Sequence, residues 1–262
     1  MLVVLDAIIE GYNEITNMQT RQQDMLMDIG IQKIKAGIAV TFLDGEKESA
    51  LLLLDGAVEY SWDHKKADAT RASVFDENPL ALHTPAGMAV TIYAKTDAEV
   101  LIQKTTNDRN FEAKFYGKED CTSAIFYGDV WNDTARRLVR TVFDYKNAPY
   151  SNMVLGEVIS FPGKWSSYIP HRHDQPEVYF YRFDKDSGFG AGFIGEDVYK
   201  TKNNSALCIP GGFTHPQVTA PGYPMYFCWM IRHLDQNPWT SRNDDDNYLW
   251  LLEDDVKIWP NR

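Results

Sequence analysis

Short apolar runs separated by turn-forming residues recur along the chain from about Met27 onward. Examples are IAVTFLDG, MAVTIYA, MVLGEVISF, VYFYRF and MYFCWMIRHL. The runs are rich in β-branched and aromatic residues, and Gly, Pro, Asn and Asp lie between them, which is typical of strands joined by turns. Many short strands at such a spacing predict an all-β barrel or sandwich in which helix is a minor component.

The two halves of the chain resemble each other loosely. Each has a run of predicted strands and a Pro-x-Gly turn, at Pro85–Gly87 in the first half and Pro210–Gly212 in the second. This indicates two tandem barrels. We place them at residues 27–132 and 133–262, because Asn and Asp interrupt two β-like runs between those ranges.

The N-terminal segment, residues 1–26, is predicted to lie outside both barrels. After a short apolar start it is rich in polar residues, and we expect it to form an arm or to begin a helix capped by Thr16 or Asn17. The apolar start has no basic flank and no cleavage pattern of small residues, so it does not indicate a signal peptide. No apolar run approaches the length of a membrane span.

Charge and cysteine content narrow the class of function. The formal net charge is −11, which disfavours nucleic acid as a partner because a polyphosphate needs clustered Lys and Arg. A small-molecule ligand fits better, and an anionic one requires local positive charge in its pocket. The odd number of cysteines, Cys121, Cys208 and Cys228, argues against a disulfide framework and favours a cytoplasmic location.

The segment HRHDQPE carries the most informative chemistry in the sequence. In a strand, residues i and i+2 face the same side, so His171 and His173 share a face. Pro176 permits a turn, after which Glu177 can bring its carboxylate back towards the two imidazoles. We therefore predict that His171, His173 and Glu177 are metal ligands.

A further ligand is expected from another segment. His215 in PGGFTHPQ follows a glycine-containing turn and is the best candidate. Three imidazoles and one carboxylate suit Zn²⁺ or Mn²⁺, with Fe²⁺ also compatible, and leave room for water or substrate on the metal.

At these residues the chain resembles the cupin superfamily, whose motifs are His-x-His-x₃₋₄-Glu and Pro-x-Gly-x₂-His. More narrowly, GEVISFPGKWSSYIPHRHD, PEVYFYRF, HPQVTAPGYPMYF and RRLVRTVFD resemble the 5-deoxy-glucuronate isomerase family and the related 5-keto-4-deoxyuronate isomerases. The resemblance implies a bicupin, two antiparallel jelly-roll barrels, of which the first is degenerate and holds no metal. It also implies an aldose–ketose isomerase that converts 5-deoxy-D-glucuronate to 5-dehydro-2-deoxy-D-gluconate in myo-inositol catabolism.

Such an isomerase needs groups that move a proton and bind the sugar acid. Strand alternation from the predicted carboxylate ligand places Tyr179 and Tyr181 on the metal-facing side. We predict Tyr181 as the proton-transfer residue, with a metal-bound hydroxide as the rival base. Lys164 is a second candidate catalytic residue and the first candidate to bind the substrate carboxylate, and Arg182 and Arg140 are alternatives for that binding. Gln217 is a candidate to bind a sugar hydroxyl.

The motif is also compatible with four other functions: an Fe²⁺ dioxygenase, a related uronate isomerase, a non-catalytic sugar-acid-binding cupin and a storage-type structural cupin. Oxygen-dependent turnover would indicate the dioxygenase, and ligand binding without turnover would indicate the binding protein. The aromatic outer faces of VYFYRF and MYFCWMI would be costly in water, so they should be covered by the other barrel or by a partner chain. We expect a homo-oligomer.

Overall fold

Antiparallel strands make up almost all of the regular secondary structure in the computed structural model, which describes residues 1–260. The strands of the first half are β1 (Leu2–Val4), β2 (Gly11–Thr16), β3 (Asp28–Ile34), β4 (Ala39–Phe42), β5 (Lys47–Trp62), β6 (Lys65–Arg71), β7 (Ala81–Thr84), β8 (Val90–Ala94), β9 (Ala98–Thr106) and β10 (Lys114–Tyr116). Within residues 1–260 no helix is long and apolar enough to cross a membrane.

The second half continues in the same manner. Its strands are β11 (Thr122–Phe126), β12 (Arg137–Phe143), β13 (Met153–Ser160), β14 (Trp165–Ser166), β15 (His171–Arg172), β16 (Glu177–Phe183), β17 (Phe189–Ile194), β18 (Asp197–Lys202), β19 (Ser205–Ile209), β20 (Gln217–Thr219), β21 (Met225–Arg232) and β22 (Asn243–Asp244). Short 3-10 helices span Gln23–Met25, Trp131–Asp133 and Asp246–Leu252.

Two large sheets organise these strands. One has the order β10-β7-β5-β9-β3-β2, with β6 and β8 paired to β5 and β4 paired to β8. The other has the order β1-β19-β16-β21-β13-β12-β11. A smaller sheet, β14-β20-β17-β18, and the pair β15-β22 complete the second barrel. The predicted all-β fold of two tandem barrels is confirmed.

A single strand, β16, contributes to two hydrophobic cores. Tyr179 and Tyr181 face the interior of the C-terminal barrel. Val178 and Phe180 face the other way and pack into a core shared with the N-terminal barrel, which contributes residues such as Ile29. The aromatic outer face of VYFYRF is therefore covered by the other barrel of the same chain.

A buried ionic group joins the two barrels. Glu157 on β13 is fully buried and accepts two hydrogen bonds from Arg71 of the N-terminal barrel, at 2.7 and 2.8 Å. It also accepts one from the Tyr226 hydroxyl at 2.8 Å and a longer one from Arg140 at 3.4 Å. Because the bidentate pair crosses the barrel interface, it fixes the orientation of one barrel on the other.

The N-terminal segment differs from its predicted helical form. No helix begins at Thr16 or Asn17, because β2 pairs with β3 as a hairpin. The Thr16 hydroxyl donates to Met27 O at 2.7 Å instead of capping a helix. Ile15, Met25 and Met27 are fully buried in the core between the barrels. Burial of this apolar face outweighs the local capping signal.

Strand pairing also bears on the predicted division of the chain at 132/133. Strand β11 is hydrogen-bonded to β12 of the C-terminal sheet, although it precedes that division. Strand β1 pairs with β19 of the same sheet. We therefore propose that the C-terminal barrel begins near residue 122 and that the first residues of the chain act as an arm that completes it.

Candidate metal centre

Two neighbouring strands bring the HRHDQPE segment into the C-terminal barrel. His171 lies on β15, His173 follows it, and Glu177 is the first residue of β16. All three side chains are buried, whereas Arg172 between the histidines is exposed. This is the arrangement that strand alternation predicts.

Three of the four predicted ligands converge. His173, Glu177 and His215 each offer a ligand atom, and these atoms lie within 4.8 Å of one another. Oε2 of Glu177 lies 3.2 Å from Nε2 of His173 and 3.3 Å from Nε2 of His215. His171 is not part of this group but lies beside it, with its ring centroid 4.7 Å from that of His215.

Each histidine is oriented by a hydrogen bond between its Nδ1 and a backbone carbonyl. The acceptors are Ile169 O at 2.8 Å for His171, Gln175 O at 2.9 Å for His173 and Phe213 O at 2.9 Å for His215. A carbonyl oxygen only accepts, so Nδ1 carries the proton in each ring. In the neutral ring Nε2 then has a free lone pair, which is the usual state of a metal-ligating histidine.

The surroundings of His215 fit a bound cation. Burial lowers the pKa of this fully buried ring below its usual value, so the ring is neutral at physiological pH. Its buried Nε2 has no hydrogen-bond partner and faces the Glu177 carboxylate. Two acceptors facing each other are unfavourable unless a cation lies between them. Burial, followed by electrostatic interaction with His215 and Arg242, also lowers the pKa of His171. Imidazole nitrogens with a carboxylate suit a divalent metal ion.

A cavity of about 250 Å³ opens beside this group. Its wall includes the large aromatic side chains Phe126, Phe227, Trp229 and Trp239. Its polar lining, apart from the candidate ligands, includes Arg137, Thr141, Ser167, Tyr179 and Arg242. The cavity therefore combines an apolar wall with a few polar groups and two cations, as a small-molecule site does.

Gly211 permits the turn that carries His215 to lie against the segment that carries His173. A Cβ on Gly211 would lie 1.8 Å from the carbonyl oxygen of Asp174. The next residue, Gly212, donates its N–H to His173 O at 2.7 Å and has a φ of +88°, which favours glycine. The glycine pair therefore sets the distance between two of the candidate ligands.

We expect Gly211→Ala to separate these ligands and to weaken binding of a divalent metal by about 10- to 100-fold, the range seen when a supporting contact of a ligand is lost. Metal titration of the stripped protein measures this change. Gly45→Ala is the matched control, because its Cβ would meet no atom within 4 Å. Equal affinities in the two variants would contradict the role given to Gly211.

Tyr181 and Gln217 lie in the barrel interior but do not line the cavity. The Tyr181 hydroxyl donates to Oε1 of Gln217 at 2.7 Å, and Nε2 of Gln217 donates to His215 O at 2.8 Å. Both polar groups are used in supporting the backbone of His215. This placement does not support the predicted proton transfer by Tyr181 or sugar binding by Gln217.

The three predicted carboxylate-binding cations also lie outside the cavity. Lys164 is 3.3 Å from Asp133, and Arg182 is paired with Glu99 at 2.6 Å on the opposite face of β16. Arg140 belongs to the ionic group between the barrels. Each is engaged by an acidic residue of the protein itself, so the placement supports a structural role for all three.

Sequence reasoning missed two polar residues of the cavity, Arg137 and Arg242, and it preferred Tyr181 to Tyr179, which also lines the cavity. Tyr179 shares its face with Glu177, and its hydroxyl lies 3.1 Å from Oγ of Ser167. Strand alternation places it on the metal-facing side, one alternation closer to the ligand than Tyr181, but alternation alone does not choose between the two tyrosines. No comparable signal marks the two arginines.

Comparison with known proteins agrees with this architecture. A profile of the KduI/IolB family matches residues 5–251. The chain belongs to the KduI/IolB family. Similar proteins include the 5-deoxy-glucuronate isomerase of Bacillus subtilis (strain 168). It is 23% identical over an alignment of 267 residues including gaps, and the alignment covers 93% of this chain and 94% of that protein. The 5-deoxy-glucuronate isomerase of Geobacillus thermodenitrificans is 24% identical over 226 residues, which cover 79% and 80%.

Solved structures show the same fold at lower sequence identity. An IolB-like protein from Salmonella typhimurium LT2 superposes with a TM-score of 0.86 at 18% identity, covering 96% of this chain and 99% of that one. An oxalate decarboxylase from Lactobacillus farciminis gives a TM-score of 0.66 at 13% identity, with 94% and 87% covered. The KduI/IolB chain therefore has the bicupin fold that its motifs predict.

Proposed function

We propose that this protein is a metal-dependent aldose–ketose isomerase that converts 5-deoxy-D-glucuronate to 5-dehydro-2-deoxy-D-gluconate in myo-inositol catabolism. The observation that carries the proposal is the convergence of His173, Glu177 and His215 beside a cavity that has its own positive charge. The names of the relatives, which align with most of the chain, support the choice of substrate.

The proposed metal ligands are His173, Glu177 and His215, with His171 beside them. Zn²⁺ or Mn²⁺ is the proposed ion, and Fe²⁺ suits the same ligands. When bound, such an ion supplies Lewis-acid stabilisation of negative charge on sugar oxygens. The carbonyl contacts of Nδ1 hold the imidazoles in the orientation and protonation state that this binding needs.

The cavity lining supplies the remaining parts of the proposed site. The aromatic wall packs against the C–H faces of a sugar and keeps water from the reacting carbons. Tyr179 is the one tyrosine among the described cavity-lining residues, and its hydroxyl can donate a hydrogen bond to a substrate oxygen. We therefore propose Tyr179, in place of Tyr181, as the tyrosine that acts on the substrate.

We expect Tyr179→Phe to lower kcat by about 10²-fold, the usual contribution of a positioned proton-donating group. Tyr181→Phe should lower kcat by a smaller factor, because its hydroxyl supports Gln217 and does not reach the cavity. The two variants are compared by turnover at equal metal content. A larger loss of kcat in Tyr181→Phe than in Tyr179→Phe would favour Tyr181, the residue predicted from the sequence.

The proposed reaction is tested by nuclear magnetic resonance of 5-deoxy-D-glucuronate mixed with metal-loaded and with chelator-treated protein. The metal-loaded form should convert the substrate at the same rate with and without oxygen, and the treated form should not. A parallel reaction with 5-keto-4-deoxyuronate identifies the preferred uronate. Absence of any spectral change with fully metal-loaded protein would exclude 5-deoxy-D-glucuronate as the substrate.

We also propose that the protein is a cytoplasmic homo-oligomer. Strand β11 lies at the end of its sheet, and its whole length is exposed, with Ile125 at 52% and Phe126 at 45%. An exposed apolar edge strand is suited to pairing with a second copy. Cys121, Cys208 and Cys228 are all free thiols, which is consistent with a reducing compartment. Light scattering of the purified protein measures the oligomeric state.

A further inference from the structure

The cavity beside the candidate metal ligands has an excess of positive charge. Arg137 and Arg242 both line it, and among its lining residues the only carboxylate is Glu177, which is assigned to the metal. The chain as a whole carries a formal net charge of −11. A local concentration of cations in an acidic protein indicates selection for an anionic ligand at this place.

Arg137 is buried without a carboxylate partner. Its side chain is 4% exposed and donates to Ala135 O at 3.1 Å and Tyr168 O at 2.7 Å, and its guanidinium lies 4.8 Å over the ring of Tyr127. Within residues 1–260 it forms no ion pair with an acidic side chain. Burial, followed by the charge of Arg242, lowers its pKa to about 10, so it stays protonated at neutral pH. A buried charge of this kind is costly unless a counter-charge binds it.

Arg242 reaches the cavity from a separate segment. Strand β22 pairs with β15 so that Asp244 lies opposite His171, and this pairing holds the preceding Arg242 at the candidate site. Its Nε lies 2.9 Å from Oδ1 of Asp244, and its side chain is 30% exposed. The acidic partner contacts Nε, which leaves the terminal nitrogens of the guanidinium for a ligand.

We propose that Arg137 and Arg242 together bind the carboxylate of the sugar acid and so select a uronate over a neutral sugar. This inference rests on the proposed isomerase function, because it names the part of the site that holds the end of the substrate away from the reacting carbonyl. The planar guanidinium fork matches a carboxylate, and two such groups lining one cavity neutralise the charge that the ligand brings.

The three cations that the sequence suggests are already paired with acidic residues of the protein. Lys164, Arg140 and Arg182 each contact a carboxylate of the protein, so none of them is free to compensate a bound anion. None of these three lines the cavity, whereas Arg137 and Arg242 both do. The geometry therefore favours this pair over the three cations that the sequence suggests.

Binding is tested with two unreactive ligands and metal-loaded protein. The first is 5-deoxy-D-glucuronate reduced at its aldehyde, which keeps the carboxylate but cannot isomerise, and the second is the primary amide of that compound. Titration calorimetry should show that wild type prefers the acid to the amide by about 10- to 100-fold, the range expected for a charge-assisted pair. Arg242→Gln and Arg137→Lys should each reduce this preference towards parity, because affinity for the acid should fall more than affinity for the amide.

Arg172→Gln is the matched control, because Arg172 is exposed on β15 and does not line the cavity. It should keep the wild-type preference. If Arg137→Lys fails to fold, the acid preference of Arg242→Gln alone tests the proposal. This variant should fold, because the Arg242 side chain is partly exposed. An unchanged acid preference in the arginine variants, or no preference in wild type, overturns the proposal.

Turnover of 5-deoxy-D-glucuronate separates this proposal from the proposed function. If wild type prefers the acid through Arg242 but does not isomerise the substrate, the carboxylate site is supported and the isomerase function is contradicted. If wild type isomerises the substrate but the arginine variants retain the acid preference, the isomerase function is supported and the carboxylate site is contradicted.

Discussion

His215→Ala is expected to remove most of the bound divalent metal and to lower isomerase activity by about 10³-fold. The imidazole is fully buried, its Nε2 has no hydrogen-bond partner, and it faces the Glu177 carboxylate at 3.3 Å. Lewis-acid stabilisation contributes several kcal/mol, and about 4 kcal/mol corresponds to roughly 10³-fold in rate. Atomic absorption of the purified variant measures the metal, and nuclear magnetic resonance of the substrate measures turnover.

A thermal readout checks this result without relying on activity. A metal that binds only the folded protein raises Tm, so wild type should gain stability when metal is added and His215→Ala should not. His64→Asn serves as the control, because His64 is exposed in a turn of the N-terminal barrel and has a φ of +61° that Asn tolerates. Full metal content in His215→Ala would remove this residue from the ligand set.

The second large effect is expected from Glu157→Gln at the interface between the barrels. This substitution leaves Arg71 and Arg140 buried without the carboxylate that both contact. Breaking a buried pair in this way costs about 3–5 kcal/mol, or roughly 10 °C in Tm for a chain of this size. Thermal unfolding followed by circular dichroism at fixed metal concentration measures the shift.

The matched control is Glu112→Gln, which removes an exposed partner of Lys65. These two groups lie 2.7 Å apart, but their side chains are 50% and 82% exposed, so the pair contributes little to stability. Its Tm should equal that of wild type. Similar values for Glu157→Gln and Glu112→Gln would show that the buried group does not hold the barrels together.

The metal centre was predictable because its signal is local. Strand alternation fixes the shared face of His171 and His173, and a short turn is enough to bring Glu177 back to them. The Pro-Gly-Gly turn marks His215, although the distance between the two segments depends on the fold. His173, Glu177 and His215 converge, with His171 beside them, while ligation of a metal stays a prediction that the experiments above test.

The arginines of the cavity were not predictable from the sequence for a specific reason. In β12 the alternation is clear, since Arg137, Val139 and Thr141 line the cavity while Leu138 and Arg140 face the other barrel. The sequence does not say which of these faces is the interior, because no ligand on this strand marks it. The alternative candidate Arg140 lies on the face that packs against the other barrel.

Long-range pairing explains the remaining differences. Arg242 reaches the cavity because Asn243 and Asp244 pair with the strand of His171. No local sequence pattern predicts that pairing. The same holds for the N-terminal segment, where a capping signal at Thr16 is overridden by burial of Ile15 between the barrels. Local patterns specify elements, and the partner of each element is decided by burial.

The pairing of β1 with β19 has a consequence for biosynthesis. Residues 2–4 leave the ribosome early, but the strand they join, residues 205–209, is made only after most of the chain. Strand β1 therefore has no partner in the C-terminal sheet until residues 205–209 have been made, and it must stay unpaired until then. A pause in translation after the first barrel would leave that barrel with its leading residues free for an incorrect partner.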